Sequence, residues 1–306
     1  MGTSALKNEA ALALKQLWEE RYQTALADLQ QQLRREGDYY RTEDYLLREE
    51  DIEVFSRHAA YEDLKDHFTG AYVRQHDLPT DFANQFRESV TREYHAFRYR
   101  RFVEILEKGA LSYRVVSNPH LTTADRVAFT DALSQAVDEW NAYLQFSFVE
   151  VTGPSDLVVT FAEFDADYTE KYTLGAGTTC MAADTVARYA NATLLFAPDG
   201  VNKIVVYPAF FDLNNKFNRT GILRHELGHI LGLLHTCHLR DAPSAVGCGL
   251  YRPDNGKAYF ASTDQPYSDR SVMKNPTECC YFKDFDLLID PIYDGAFIYQ
   301  QLSPGF

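Results

Sequence analysis

Residues 225–235 read HELGHILGLLH, and the spacing inside this stretch decides how the rest of the chain is read. Four residues make slightly more than one helical turn, so on a helix His225 and His229 project from one face and both imidazoles reach a single metal ion. Glu226 lies beside them, where its carboxylate can hold a water molecule and take its proton. A catalytic zinc needs a third protein ligand and one open position. Gly232 gives the means, because a glycine there lets the helix end in a left-handed turn and swing the chain so that His235 arrives from another direction. A bare HExxH arises by chance in many helices, but three His, one Glu and one Gly at fixed spacing rarely coincide.

The chemistry follows from those residue types. Zinc lowers the pKa of bound water far below that of bulk water, toward about 7, and polarises a carbonyl as a Lewis acid. The expected cofactor is one catalytic Zn2+ on His225, His229 and His235. Glu226 is expected to be the general base that later protonates a leaving amine.

Working outward, LSYRVVSN (111–118) reads as a strand, and Thr122 as the N-cap of a helix running to about Leu144. FSFVEV, LVVTFAEF, ATLLFAP and KIVVYPAFF follow as short β-rich runs separated by Gly, Pro, Asn and Asp. A helix then starts near Asn218 and carries the motif. This order predicts a twisted, mixed, five-stranded sheet with the motif helix beneath it. Before residue 110 the grammar differs: Leu14, Leu17, Trp18, Tyr22, Leu26 and Leu29 recur at helical spacing, and no Pro occurs until Pro79. A second aromatic helix, Phe82 to Phe102, is predicted to end at Gly109. The expected fold class is therefore α+β, with an α-helical domain over 1–110 and a catalytic domain over 111–306.

Composition limits the partners. The net charge of −14 is spread along the chain, with 16 Lys+Arg against 21 Asp+Glu in residues 1–110, which argues against nucleic acid. The alternating charges of RREGDYYRTEDYLLREEDIE read as solvated helix faces. No apolar run approaches the roughly 18 to 20 residues of a membrane span. The opening MGTSALKNEA shows no basic segment leading into an apolar leader core. All five cysteines (Cys180, Cys237, Cys248, Cys279, Cys280) fall in the C-terminal part, without a CxxC zinc-ribbon pattern, and an odd count leaves one thiol unpaired within the chain. Asn191-Ala-Thr193 and Asn218-Arg-Thr220 match the glycosylation sequon, a triplet common by chance.

HELGHILGLLH resembles the metzincin zinc-binding signature, HExxHxxGxxH, at every fixed position. In that family a Met-turn follows the third histidine, and Ser271-Val272-Met273 stands about forty residues on. The resemblance implies that Met273 underlies the zinc ligands, that residues from about 190 to 200 form an edge strand pairing with extended substrate, and that the partner is a protein or peptide. It also implies an endopeptidase of the metalloendopeptidase class, secreted or extracellular, with cytosolic placement as the alternative. Thr236 departs from the Glu of astacins and the Ser of many matrixins, Asn275 departs from the Tyr that astacins and serralysins carry after the Met-turn, and the HT after the zinc motif looks more like pappalysins or bacterial HEIGH-type peptidases. Many metzincins carry an N-terminal pro-segment, a role that residues 1–110 suit as a latent zymogen. Residues 1–179 contain no Cys to block the zinc, and Asp38 is a carboxylate candidate; an accessory domain is the rival reading. His58, His67, His76 and His95 are read as surface or core residues. Two alternatives differ in class: a selective effector or toxin protease, and a catalytically silent zinc-binding module with Cys237 or His238 as fourth ligand.

Overall fold

The computed structural model describes residues 2–37, 39–41, 45–64, 74–75, 100–101, 103–163, 189–212, 218–233, 271–273, 286–290 and 294. The chain divides into two compact units, one taking most of residues 1–97 and the other Thr42–Leu46 together with most of the chain from Arg98 onward.

In the first unit, helix α1 (Gly2–Gln32) buries Trp18 and Tyr22, whose rings stack with centroids 6.0 Å apart, as the helical spacing predicts. Helix does not continue through the charged run. Residues 34–48 instead contain β1 (Arg34–Glu36), β2 (Tyr39–Arg41) and β3 (Tyr45–Arg48), with β1 and β2 antiparallel and Arg35 opposite Tyr40. The reason is local. Gly37 takes a left-handed φ of 63°, which breaks a helix, and the neighbouring Tyr39 and Tyr40 are strand formers that bury their rings. Nor are all the charges solvated. Arg48 and Asp51 are buried as a pair at 2.7 Å, and the Asp51 carboxylate also accepts from the Arg48 backbone N–H at 3.0 Å, closing the start of α2 (Glu49–Leu64). The aromatic helix expected from Phe82 lies largely outside the described residues; residues 100–101 and 103–108 are helical, and Gly109 follows at φ 69°.

The second unit holds the catalytic-domain strands. β4 (Ala110–Val115), β5 (Ser147–Glu150), β6 (Leu157–Phe161), β7 (Ala190–Thr193) and β8 (Asn202–Val206) lie in the order β7-β8-β6-β4-β5. Their pairings are parallel except β7 with β8, so the sheet is mixed, as the order of strands and helices predicts. Helix α3 (Thr123–Asn141) starts at the expected N-cap, with the Thr122 side chain accepting from the Asp125 N–H. It buries Phe129, Leu133, Ala136, Val137 and Trp140; Phe129 meets Phe161 of β6 edge-on at 5.0 Å and Phe210 at 6.0 Å. Trp140 Nε1 donates to the Arg224 carbonyl at 2.9 Å, and Arg224 pairs with Glu139 at 3.0 Å, joining α3 to the motif helix α4 (Arg219–Ile230).

One strand position departs from expectation. β7 is not the free edge, because Tyr45–Leu46 of β3 lies along its outer side in parallel, Tyr45 opposite Ala192 and Leu46 opposite Thr193. The Leu194 N–H donates to the Leu46 carbonyl at 3.1 Å.

Candidate active site

Helix α4 is set by its two ends. The Asn218 side chain accepts from the Thr220 and Gly221 N–H groups, an N-cap that satisfies two of the helix's orphan donors. At the other end Gly232 adopts φ 83°, its N–H donating to the His229 carbonyl at 2.9 Å while the Leu233 N–H reaches the Gly228 carbonyl at 3.0 Å. This is the paired closure of a Schellman turn, and it ends the helix at Ile230, one residue after His229. Both sequons are used structurally: Asn218 caps α4 and Asn191 is buried in β7.

Between these ends the helix is buried from Thr220 to Ile230. His225 and His229 share a face, their rings 4.8 Å apart and nearly perpendicular, and Glu226 is fully buried beside them. The ring nitrogens reveal the tautomers. His225 Nδ1 lies 2.8 Å from the Val272 carbonyl and His229 Nδ1 lies 2.9 Å from the Leu233 carbonyl. A carbonyl only accepts, so each Nδ1 carries a hydrogen, and in the neutral form of each ring the lone pair falls on Nε2. That is the state in which imidazole binds a divalent metal, with the other nitrogen held by a backbone partner. The donor set therefore fits zinc. His235 lies outside the described residues, as do Asp38, all five cysteines, the segment 234–270, His67, His76 and His95.

Met273 packs against α4 at Gly228. It is buried, and its sulfur lies 2.6 Å from where a Cβ on Gly228 would stand. Gly228, which lies between the two histidines in sequence, therefore lets Met273 approach the helix. The motif treats position 228 as free, so nothing in its spacing signals this requirement. Gly221 is similar, since a Cβ there would meet the Asp286 carbonyl. A third unforeseen residue is Asp294. Its buried carboxylate accepts from Ser271 Oγ at 2.6 Å, the Val272 N–H at 2.9 Å and the Asp290 N–H at 2.9 Å. Burial pushes this carboxyl up to about 6 against the pull of those hydrogen bonds.

The sheet meets the helix at its C-terminal end. Just past β7, the Leu195 and Phe196 N–H groups donate to the His229 and Ile230 carbonyls, each at 2.8 Å. Leu195 holds a left-handed φ of 54°, costly for a residue with a Cβ and maintained by these two bonds. The backbone running along β7 thus leads directly onto the helical turn that bears His229.

Comparison with known proteins adds the family. The family profile described as Matrixin matches residues 105–264, more than half of the chain. The chain belongs to the matrixin family, and hence to the metzincin-type metallopeptidases whose signature its motif resembles. Among solved structures, that of myroilysin is similar at 16% identity and a TM-score of 0.38, covering 64% of this chain and 94% of the other. No curated protein matches. Matrixins use a catalytic zinc. Thr236, on which the likeness to pappalysins and HEIGH-type peptidases rests, lies outside the described residues, as does Asn275.

Proposed function

We propose that this metallopeptidase is a zinc-dependent endopeptidase, secreted or extracellular, with the ion held by His225, His229 and His235 and with Glu226 as general base. The observation that carries the reading is the buried pair of histidines on α4, both with hydrogen on Nδ1, flanking a buried glutamate. When bound, zinc supplies a Lewis acid and acidifies water. The chain's own part is to fix two neutral imidazoles, to hold the Glu226 carboxylate where it takes a proton from the attacking water, and to return that proton to the leaving amine. Burial of α4 keeps bulk water from competing for those groups.

We further propose that residues 1–110 keep the enzyme latent until they are removed. Support comes from Tyr45–Leu46, which takes the outer side of β7 that an extended peptide would otherwise pair with. It runs parallel to β7, and the strand leads onto the turn that bears His229.

Metal analysis tests the ligand set. Purified protein is expected to hold one zinc per chain, and His225→Ala, His229→Ala and His235→Ala each to lose it. Retention of full zinc by any of the three would overturn the ligand assignment. Intact-mass measurement tests latency: peptidase activity is expected to rise as a cut appears near residues 100–115. Full activity in uncut chain would contradict it.

A further inference from the structure

Ser271, Met273 and Asp294 form a continuous hydrogen-bond chain that ends on His225. The His225 Nδ1–H donates to the Val272 carbonyl at 2.8 Å. That carbonyl belongs to the peptide whose N–H is Met273, and the Met273 N–H donates to Ser271 Oγ at 3.0 Å. The Ser271 hydroxyl in turn donates to Asp294 Oδ1 at 2.6 Å. All four side chains, with Val272, are buried at 1% exposure or less. Each link donates in the same direction, toward the carboxylate.

We infer that Ser271 and Asp294 are positioning residues for His225, acting through the Val272–Met273 peptide to fix the ring's tautomer and to strengthen Nε2 as a metal ligand. The inference rests on the proposed zinc site. The physical basis is cooperative polarisation: a serine that donates to a carboxylate is a better acceptor, which polarises the Met273 amide and makes its carbonyl a better acceptor for the imidazole N–H. A carboxylate placed directly on a zinc-bound histidine has the same effect; here it is relayed through one hydroxyl and one peptide group. The other two bonds to Asp294, from the Val272 and Asp290 N–H groups, hold the carboxylate in line without belonging to the relay. Ser271 is the specific element, since Asp294 without it would still hold the turn through Val272.

The test measures zinc affinity by chelator competition in the full chain for Ser271→Ala, Ser271→Thr, Asp294→Asn and the double variant Ser271→Ala/Asp294→Asn. Nitrogen-15 imidazole spectra of the zinc-free proteins report the tautomer. Loss of such an outer partner typically weakens metal binding by about 10- to 100-fold. Both single variants are expected to weaken zinc within that range, the double variant no more than the weaker-binding single, and Ser271→Thr to recover most of the loss. The His225 Nδ1–H signal should move upfield in Ser271→Ala. Losses that multiply in the double variant, or a Ser271→Ala protein that binds zinc as tightly as the parent, would overturn the relay while leaving the zinc site intact. A parent chain that binds no zinc would overturn the site reading and the relay with it.

Discussion

At Gly228 a single hydrogen atom separates the helix from the Met273 sulfur. Gly to Ala inside a helix is ordinarily favourable by about 1 kcal/mol. Here the added methyl would stand 2.6 Å from the sulfur, with Leu233 and Trp140 closing the other sides at 3.5 and 3.6 Å. Gly228→Ala is therefore expected to destabilise the protein by about 1–3 kcal/mol in urea unfolding, as overpacked cores do. Met273→Ala should relieve most of that loss in the double variant; additive losses would show that the contact is not the cause. Asp294 makes a prediction of opposite character. Its folded pKa of about 6 exceeds the ordinary aspartate value, so the folded state binds the proton more tightly. The stability this gives is full below about pH 4 and is lost as pH rises through about 6. The Asp294→Asn variant has no group to titrate at this position. The stability of wild type relative to that variant should accordingly fall between about pH 4 and 7, by on the order of 2 kcal/mol. A difference constant across that range would contradict the burial of the carboxyl.

The helix α4 is held by caps as much as by packing, and each end can be tested. Asn218→Ala removes the acceptor for two N–H groups and is expected to cost about 1 kcal/mol. Gly232→Ala forces a Cβ into a φ of 83° and is expected to cost about 1–2 kcal/mol. Thermal unfolding reads both. These caps are also what the sequence displays most openly. Thr122 and Asn218 announce α3 and α4 because a capping side chain acts within three residues of itself. The strands of the catalytic sheet were legible from short β-rich runs bounded by turn residues. Residues 34–48 were not, because alternating charge fits a helix face equally well and the decision lay with Gly37 and with pairing partners distant in sequence. Asp294 was hidden for the same reason: it lies 23 residues beyond Ser271 and is one of 44 acidic residues. Gly228 occupied a position that the zinc motif leaves unspecified.

At the scale of the whole molecule, the sheet places β7 against the C-terminal turn of α4, and Tyr45–Leu46 covers the outer side of that strand. Among the described residues no helix is long and apolar enough to cross a membrane. His225, His229 and His235 with Glu226 are proposed to hydrolyse peptide bonds through zinc. The direct measurement is turnover of a quenched-peptide pool by purified chain, before and after cleavage near residues 100–115, compared with Glu226→Ala and with a chelator-treated sample. Cleaved wild type is expected to turn over the pool, Glu226→Ala to keep its zinc but lose at least about 100-fold in rate, and chelation to abolish activity until zinc is restored. A Glu226→Ala protein that hydrolyses the pool as fast as wild type, or a cleaved, zinc-loaded wild type with no turnover, would contradict it.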